Sequence, residues 1–142
     1  MGCAPEREAD PMLRGQCHCG SIQFQMPDQA VASSLCHCGD CRKQSGAPML
    51  AWAMVPKAAV SVAGEPKVYN SSQSGRRSFC GSCGTGLFFT NAPLEQMGMM
   101  QVRIAALDDL EAVAPKMQVQ TAERVKWMAS ADDLPAFERF PT

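Results

Sequence analysis

The sequence predicts a mainly β protein that folds as a single domain. Its 142 residues lie within the usual size of one domain. Several short segments alternate apolar with polar residues, which is the pattern of half-buried strands, and glycines and prolines separate these segments. Residues 1–11 are polar and contain two prolines, so we expect a flexible N-terminal tail followed by a domain over residues 12–142.

The predicted strands follow one another along this domain. In the first, Ile22, Phe24 and Met26 alternate with glutamines. Residues 48–55 form an apolar run that is typical of a buried strand. Further along the chain we expect short strands over 59–62 and 67–69, a loop over 69–75, strands over 86–90 and 100–104, and a short helix over 122–128.

Charge and hydropathy exclude several classes of protein. Lys plus Arg total 13 and Asp plus Glu total 14, giving a net charge of −1, which argues against a nucleic-acid-binding module. No apolar run approaches the roughly 18–20 residues of a membrane span, so no membrane partner is expected. The N-terminal residues contain no apolar signal-peptide segment, and the expected location is the cytoplasm.

Eight cysteines are the unusual feature of the composition. Seven of them form three close groups, whereas Cys3 stands alone in the tail. We expect Cys3 to be a free thiol, with a fourth-ligand role for it as the alternative. In a reducing compartment, clustered cysteines bind metal more often than they form disulfides.

Two of the groups have the spacing of a closed zinc site. Residues 80–84 read CGSCG, and two cysteines separated by two residues in a tight turn direct both sulfurs at one ion. Residues 17–20 read CHCG, in which the two cysteines are separated by one residue. We call each such cysteine pair in a turn a clip. Both clips are followed by a glycine, which accepts the positive φ of such a turn. Pairing the clips predicts a structural zinc held by four thiolates: Cys17, Cys19, Cys80 and Cys83.

The remaining group consists of Cys36, Cys38 and Cys41, and no clustered cysteine remains to complete it. Three protein ligands with an exchangeable fourth position is the arrangement of catalytic zinc. His37 lies between two of these cysteines, so its side chain is expected to point away from an ion that both neighbours hold. We therefore interpret His37, and likewise His18, as a surface residue or a neighbour of the ligands.

Basic residues flank the metal loops. A zinc ion with three thiolates carries one net negative charge, so an incoming thiol would bind as thiolate only with cationic help. The candidates for this help are Arg42, Lys43, Arg76 and Arg77. The alternative for each is an ordinary charged residue on the solvent-exposed surface.

These motifs together resemble the family of glutathione-dependent formaldehyde-activating enzymes, which also includes centromere protein V. The resemblance covers nearly all of residues 14–137, and the three-part cysteine pattern in this order is highly specific. It is carried by GQCHCGSI (15–22), CHCGDCRKQSGAP (36–48), YNSSQSGRRSFCGSCGTGLFF (69–89), VRIAALDD (102–109) and WMASADDLPAF (127–137).

The resemblance implies a β-tent fold of several coiled, mostly antiparallel sheets around zinc knuckles. It implies two zinc ions, one structural and one labile or catalytic, the second on Cys36, Cys38 and Cys41 as catalytic residues. It also implies carbon–sulfur lyase chemistry, the reversible addition of the glutathione thiol to formaldehyde. The expected partners are therefore a small-molecule thiol and a small aldehyde, acting on a monomer or a homodimer.

Within this chemistry, Arg77 or Lys43 is expected to hold a carboxylate of glutathione. Ser45 or His37 is the candidate for assisting proton transfer. Two alternatives remain from other classes of protein. The first is a non-catalytic zinc-binding scaffold or interaction module. The second is a redox- or metal-responsive protein in which the three clustered thiols oxidise and release zinc.

Overall fold

The computed structural model describes residues 11–141, so Cys3 and nearly all of the predicted tail lie outside the described part of the chain. The strands are β1 (Met12–Gln16), β2 (Gln23–Pro27), β3 (Ala32–Cys36), β4 (Leu50–Pro56), β5 (Ser61–Ala63), β6 (Lys67–Asn70), β7 (Arg76–Phe79), β8 (Gly86–Thr90), β9 (Met99–Arg103) and β10 (Met117–Val119). The α-helices are α1 (Gly39–Ser45) and α2 (Ala92–Gln96). The 3₁₀ helices are Lys57–Ala59, Ile104–Ala106, Thr121–Glu123 and Lys126–Asp133.

The strands form two sheets, which confirms the predicted mainly β, single-domain fold. The smaller sheet has the order β1-β2-β5 and the larger has the order β10-β3-β4-β9-β8-β7-β6. Every pairing in these sheets is antiparallel except that of β10 with β3. This agrees with the mostly antiparallel sheets that the family resemblance implies.

The two sheets enclose the main apolar core. Phe24 of β2 and Phe88 of β8 meet edge to face, with ring centroids 5.2 Å apart. Such an aromatic pair adds about 0.5–1.5 kcal/mol beyond its buried area. Val55 of β4 and Val102 of β9 are fully buried in the same cluster. Alternation along these strands therefore directs one face of the large sheet towards the small sheet.

The opposite face of the large sheet carries a second, smaller cluster. Successive side chains point to opposite faces of a strand, so Trp52 points away from Ala53 and from the main core. Trp52 and Leu50 pack there with Cys36 of β3 and Cys41 of α1. This arrangement places the three-cysteine segment on a different face of the sheet from the main core.

The C-terminal region differs from the helix predicted over residues 122–128. Two 3₁₀ helices occupy this region, and Val125 between them has an extended backbone with φ −71° and ψ 133°. Trp127 is 62% exposed, so the segment lacks the buried apolar face that stabilises a short α-helix. Within residues 11–141, the helices are all too short or too polar to cross a bilayer.

Gly15 of β1 illustrates how closely the sheets approach each other. It pairs with Phe24 across the small sheet and forms an isolated bridge with Leu107. A methyl group at Gly15 would lie 2.7 Å from the carbonyl oxygen of Ala106 and would overlap the Phe24 ring. The absence of a side chain therefore lets the ring and the main chain pack against β1.

We expect Gly15→Ala to lower the free energy of unfolding by about 1–3 kcal/mol or more, because the added methyl group overpacks the core. Gly39→Ala is the matched control, since its methyl group would have no neighbour closer than 3.4 Å. Urea denaturation of both variants measures the difference. Equal midpoints would show that β1 adjusts without cost.

Candidate metal centres

The structure brings together the four cysteines that the sequence paired. The sulfurs of Cys17, Cys19, Cys80 and Cys83 all lie within 4.8 Å of one another. Cys19 Sγ is 3.6 Å from Cys17 Sγ and 3.8 Å from Cys80 Sγ. A tetrahedral zinc–thiolate site with bonds of about 2.3 Å separates its sulfurs by about 3.8 Å. These four side chains can therefore hold one tetrahedral ion, and we call them the four-cysteine site.

Two turns build the four-cysteine site. One turn joins β1 to β2 and the other joins β7 to β8, so the site links an end of the small sheet to the large sheet. Gly20 and Gly84 follow the second cysteine of each turn and have φ values of 79° and 83°, as the sequence predicted. The His18 N–H donates to Thr85 Oγ1 at 3.0 Å and holds the turns together directly.

Hydrogen bonds to two of the sulfurs, those of Cys80 and Cys83, favour their thiolate forms, whereas the pKa of Cys19 is raised. Cys80 Sγ accepts N–H groups from Ser82 and Cys83, each at 3.4 Å. Hydrogen bonding from Ser21, and then from these amides, lowers the pKa of Cys80 to about 7. The Thr85 hydroxyl and amide lower the pKa of Cys83 to about 5. Two ligands are thus ready to bind metal at neutral pH.

The second group of sulfurs belongs to Cys36, Cys38 and Cys41, which also lie within 4.8 Å of one another. Among residues 11–141, the side chains grouped there as possible metal ligands are these three alone. Cys36 ends β3, Cys38 precedes α1 and Cys41 lies within α1. Thiolate ligands suit zinc, and three of them can hold an ion and leave a fourth position open. We call this group the three-cysteine site.

The short helix α1 sets the geometry of the three-cysteine site. The Cys38 sulfur caps the helix by accepting the Cys41 N–H at 3.3 Å. Gly46 caps the end of this helix with a φ of 74°, a backbone conformation that suits glycine. The Ser45 hydroxyl donates to the Cys41 carbonyl oxygen at 2.6 Å, so its proton is used within the helix.

Burial and hydrogen bonding give the three thiols of this site different pKa values. Burial raises the pKa of Cys36 to about 12 and also raises that of Cys38. Burial acts in the same direction on Cys41, but hydrogen bonds from Cys38 and Arg77 outweigh it and lower the Cys41 pKa. Cys41 is therefore the thiol of this site that ionises most readily.

Arg77 contacts the three-cysteine site directly. It is only 5% exposed, and its Nη1 and Nη2 groups donate to Cys41 Sγ at 3.8 and 3.7 Å. Its guanidinium also lies 4.9 Å from the centroid of the Phe89 ring. Of the basic residues that the sequence indicated, Arg77 is the one placed on a sulfur atom.

The other indicated residues lie farther from the sulfurs. Arg76 donates to main-chain carbonyl groups of the loop over residues 72–75. Lys43 and Arg42 line a groove of about 660 Å³ between α1 and the C-terminal segment, with Trp127 on its other side. His37 is buried, and its Nε2 lies 2.8 Å from Gln118 Oε1. The imidazole of His37 is thus engaged with β10.

Arg103 is a residue of this site that the sequence did not indicate. It lies on β9 directly opposite Trp52, and its guanidinium is 5.5 Å from the centroid of the Trp52 ring. Burial lowers the pKa of Arg103, and the charge of Arg77 lowers it further, whereas Cys41 acts in the opposite direction. The three groups therefore interact electrostatically.

These pKa values predict the order in which the sites lose metal as pH falls. Protons compete with metal for thiolates, so the site with higher thiol pKa values releases its ion at higher pH. In the three-cysteine site the pKa of Cys36 is about 12 and that of Cys38 is raised, whereas that of Cys41 is lowered. In the four-cysteine site the pKa values of Cys80 and Cys83 are about 7 and about 5, whereas that of Cys19 is raised. As pH falls, we expect the three-cysteine site to lose its ion first, at a pH about one unit or more above that at which the four-cysteine site loses its ion.

Dialysis at stepped pH, followed by metal analysis and by mass spectrometry of alkylated cysteines, identifies the site that empties first. Early alkylation of Cys80 and Cys83 would contradict the expected order.

Comparison with known proteins identifies relatives. The family model for the glutathione-dependent formaldehyde-activating enzyme matches residues 12–123. A Schizosaccharomyces pombe protein named as an uncharacterised lyase is 34% identical over 79 residues, a match that covers 56% of this chain and 58% of that relative. The chain thus spans less than two thirds of the length of this curated relative.

A solved structure supports the fold independently. A crystal structure of a Rhodobacter sphaeroides protein matches with a TM-score of 0.56 at 20% identity, over 75% of this chain and 100% of that chain. At this identity the likeness shows the fold alone. The family model, in contrast, spans most of the chain and both cysteine sites. The protein therefore belongs to the family of glutathione-dependent formaldehyde-activating enzymes.

Proposed function

We propose that the protein is a zinc-dependent carbon–sulfur lyase that reversibly adds a thiol such as glutathione to formaldehyde or a related small electrophile. The family and the lyase name of the fission-yeast relative support this class of reaction. The observation that carries the proposal is the three-cysteine site. Its three sulfurs are grouped without a fourth side-chain ligand from residues 11–141, and Arg77 supplies positive charge beside them.

In this proposal one zinc ion is structural at the four-cysteine site and a second is held by Cys36, Cys38 and Cys41. When bound at the three-cysteine site, zinc supplies Lewis acidity that lowers the pKa of a substrate thiol. The chain supplies the surroundings. Trp52 and Leu50 are almost fully buried against the cysteines, so they exclude water from one side of the site.

The proposed reaction is an addition that needs no oxidant or reductant. The thiol first loses its proton to solvent. A lone pair of the thiolate sulfur then forms a bond to the aldehyde carbon, while the π-electron pair of the C=O bond moves onto oxygen. The resulting alkoxide takes a proton from solvent, and the reverse sequence is the lyase direction. Arg77 favours the thiolate form of reactants near Cys41 through its fixed charge.

The groove beside α1 is the proposed binding region for the rest of the thiol substrate. It is lined by Gly39 and Asp40, which directly follow Cys38, and by the cationic side chains of Arg42 and Lys43. Its volume of about 660 Å³ falls within the usual range of small-molecule sites. Lys43 is exposed and free to bind a carboxylate of glutathione as a point charge.

Two-dimensional exchange NMR tests the reaction directly. Glutathione and formaldehyde exchange with their adduct in solution, and the cross-peaks report the rate in both directions. We expect micromolar zinc-loaded protein to accelerate exchange at least about tenfold over the spontaneous rate, a small part of what enzymes typically achieve. Protein treated with chelator is the control. An unchanged exchange rate would favour the non-catalytic zinc-binding scaffold instead.

A further inference from the structure

Two arginines stack on aromatic rings in the same way on one face of the large sheet. Arg77 of β7 is the cross-strand partner of Phe89 and stacks on its ring. Arg103 of β9 is the cross-strand partner of Trp52 and stacks on that ring. The two rings are themselves 6.1 Å apart. Both guanidiniums are thus held beside the cluster that contains the three-cysteine site.

Three contacts fix the position of Arg103. Besides the Trp52 ring, its Nη2 group donates to Gln44 Oε1 of α1. On its other side lies Gly86, where any side chain would overlap the guanidinium. The fold therefore provides a slot for this guanidinium between β8 and α1, the helix that carries Cys41.

Within the described residues 11–141, neither guanidinium has a carboxylate partner. The ion pair present among residues 11–141 joins Lys57 to Glu95 and includes neither arginine. The Nε atoms of Arg77 and Arg103 are buried and have no hydrogen-bond partner among the residues that the structure describes. A buried charge is costly unless a counter-charge offsets it. The thiolates of the three-cysteine site are the anionic groups available nearby, with Cys41 in direct contact with Arg77.

We propose that Arg103 is a positioning residue which, together with Arg77, makes the metal-loaded three-cysteine site select an anionic ligand. The proposal rests on the proposed function in one respect, namely that this site holds a divalent ion with an exchangeable position. Three thiolates around a divalent ion carry one net negative charge. The two guanidiniums reverse it to one net positive charge, and a thiolate neutralises the whole assembly. A neutral ligand such as a thioether leaves the positive charge uncompensated.

Cobalt substitution provides a test that does not depend on turnover. The d–d absorption of cobalt-loaded protein is followed during titration with glutathione at fixed pH, because only a site with an exchangeable position responds. S-methylglutathione, which cannot supply a thiolate, is the matched ligand control. We expect glutathione to change the spectrum of the wild-type protein and S-methylglutathione to change it little.

Variants of Arg103 distinguish an effect of its charge on ligand binding from an effect on the structure of the site. Arg103→Gln should raise the dissociation constant for glutathione about tenfold, the effect of removing one charge from a partly buried site. Arg103→Lys keeps the charge and should stay within about threefold of wild type. Arg76→Gln removes a charge from strand β7, which β8 separates from β9, and should leave binding unchanged because Arg76 donates to loop carbonyl groups. Cobalt retained at the four-cysteine site reports that each variant is folded.

The outcomes are distinct. A spectral response in wild type that is equally strong in Arg103→Gln overturns the role of Arg103 and leaves the proposed function standing. Equal losses in Arg103→Gln and Arg103→Lys overturn the role of its charge. A wild-type protein that shows no response to glutathione overturns both proposals together.

Discussion

Cys80→Ser is expected to leave the chain unfolded at room temperature. Cys80 is 1% exposed and lies at the centre of the four-cysteine site, where its sulfur is 3.8 Å from Cys19 Sγ. Structural zinc contributes about 10–16 kcal/mol of apparent folding free energy in small zinc-binding peptides. The whole stability of a domain is about 5–15 kcal/mol. If this site holds zinc as proposed, loss of the ion removes about as much free energy as the fold possesses.

Far-UV circular dichroism and metal analysis of the purified variant measure this outcome. Ser82→Ala changes an exposed residue of the same turn and should retain both the spectrum and the metal content of the wild type. A Cys80→Ser protein with a cooperative melting transition near that of the wild type would mean that the two sheets hold together without the ion.

Cys41→Ser is expected to have the opposite phenotype. The four-cysteine site is untouched, so the fold and one metal ion should remain. The substitution removes a ligand of the three-cysteine site and leaves the buried Arg77 without its sulfur acceptor. Under the proposed function, kcat/KM for adduct formation should fall at least about a thousandfold, as when a principal catalytic group is removed.

The same serine-for-cysteine change at the two sites makes each variant the control for the other. Metal analysis of Cys41→Ser should give one ion per chain. Thermal or urea denaturation of the same variant should show a cooperative unfolding transition. Leaving the buried Arg77 guanidinium without its sulfur acceptor costs about 1–3 kcal/mol, which the rest of the fold tolerates. Retention of full exchange activity by Cys41→Ser would place the chemistry elsewhere in the protein.

The sequence predicted those strands whose side chains alternate cleanly. β2, β8 and β9 lie within two residues of their predicted positions because one face of each packs in the main core. It did not predict β3 or β7. Their sequences, ASSLC and RRSF, do not alternate apolar with polar residues, and their polar side chains find partners in other parts of the fold. Ser33 donates to the Ala114 carbonyl oxygen, and Arg77 donates to Cys41.

The cysteine groups were predictable because turn spacing brings the sulfurs within each group together, and a closed site needs four ligands, which the two paired groups supply. Arg103 was not predictable, because its role depends on tertiary topology. In sequence it is a polar residue between the buried Val102 and Ile104, the pattern of a solvent-facing position. It reaches the three-cysteine site only because β9 lies between β4 and β8 and because Gly86 leaves room for its guanidinium. No local pattern contains this information.

The placement of the two cysteine sites has a consequence for how such a protein diversifies. The four-cysteine site borders the main core, whereas the three-cysteine site lies in the separate cluster on the other face of the large sheet. Under the proposed function, a metal ion can exchange or change its fourth ligand at the three-cysteine site while the four-cysteine site keeps the two sheets joined. Mutations in α1 and its groove can therefore alter the chemistry of the three-cysteine site with little loss of folding stability. The same two sheets and main core can thus support three-cysteine sites of different substrate specificity.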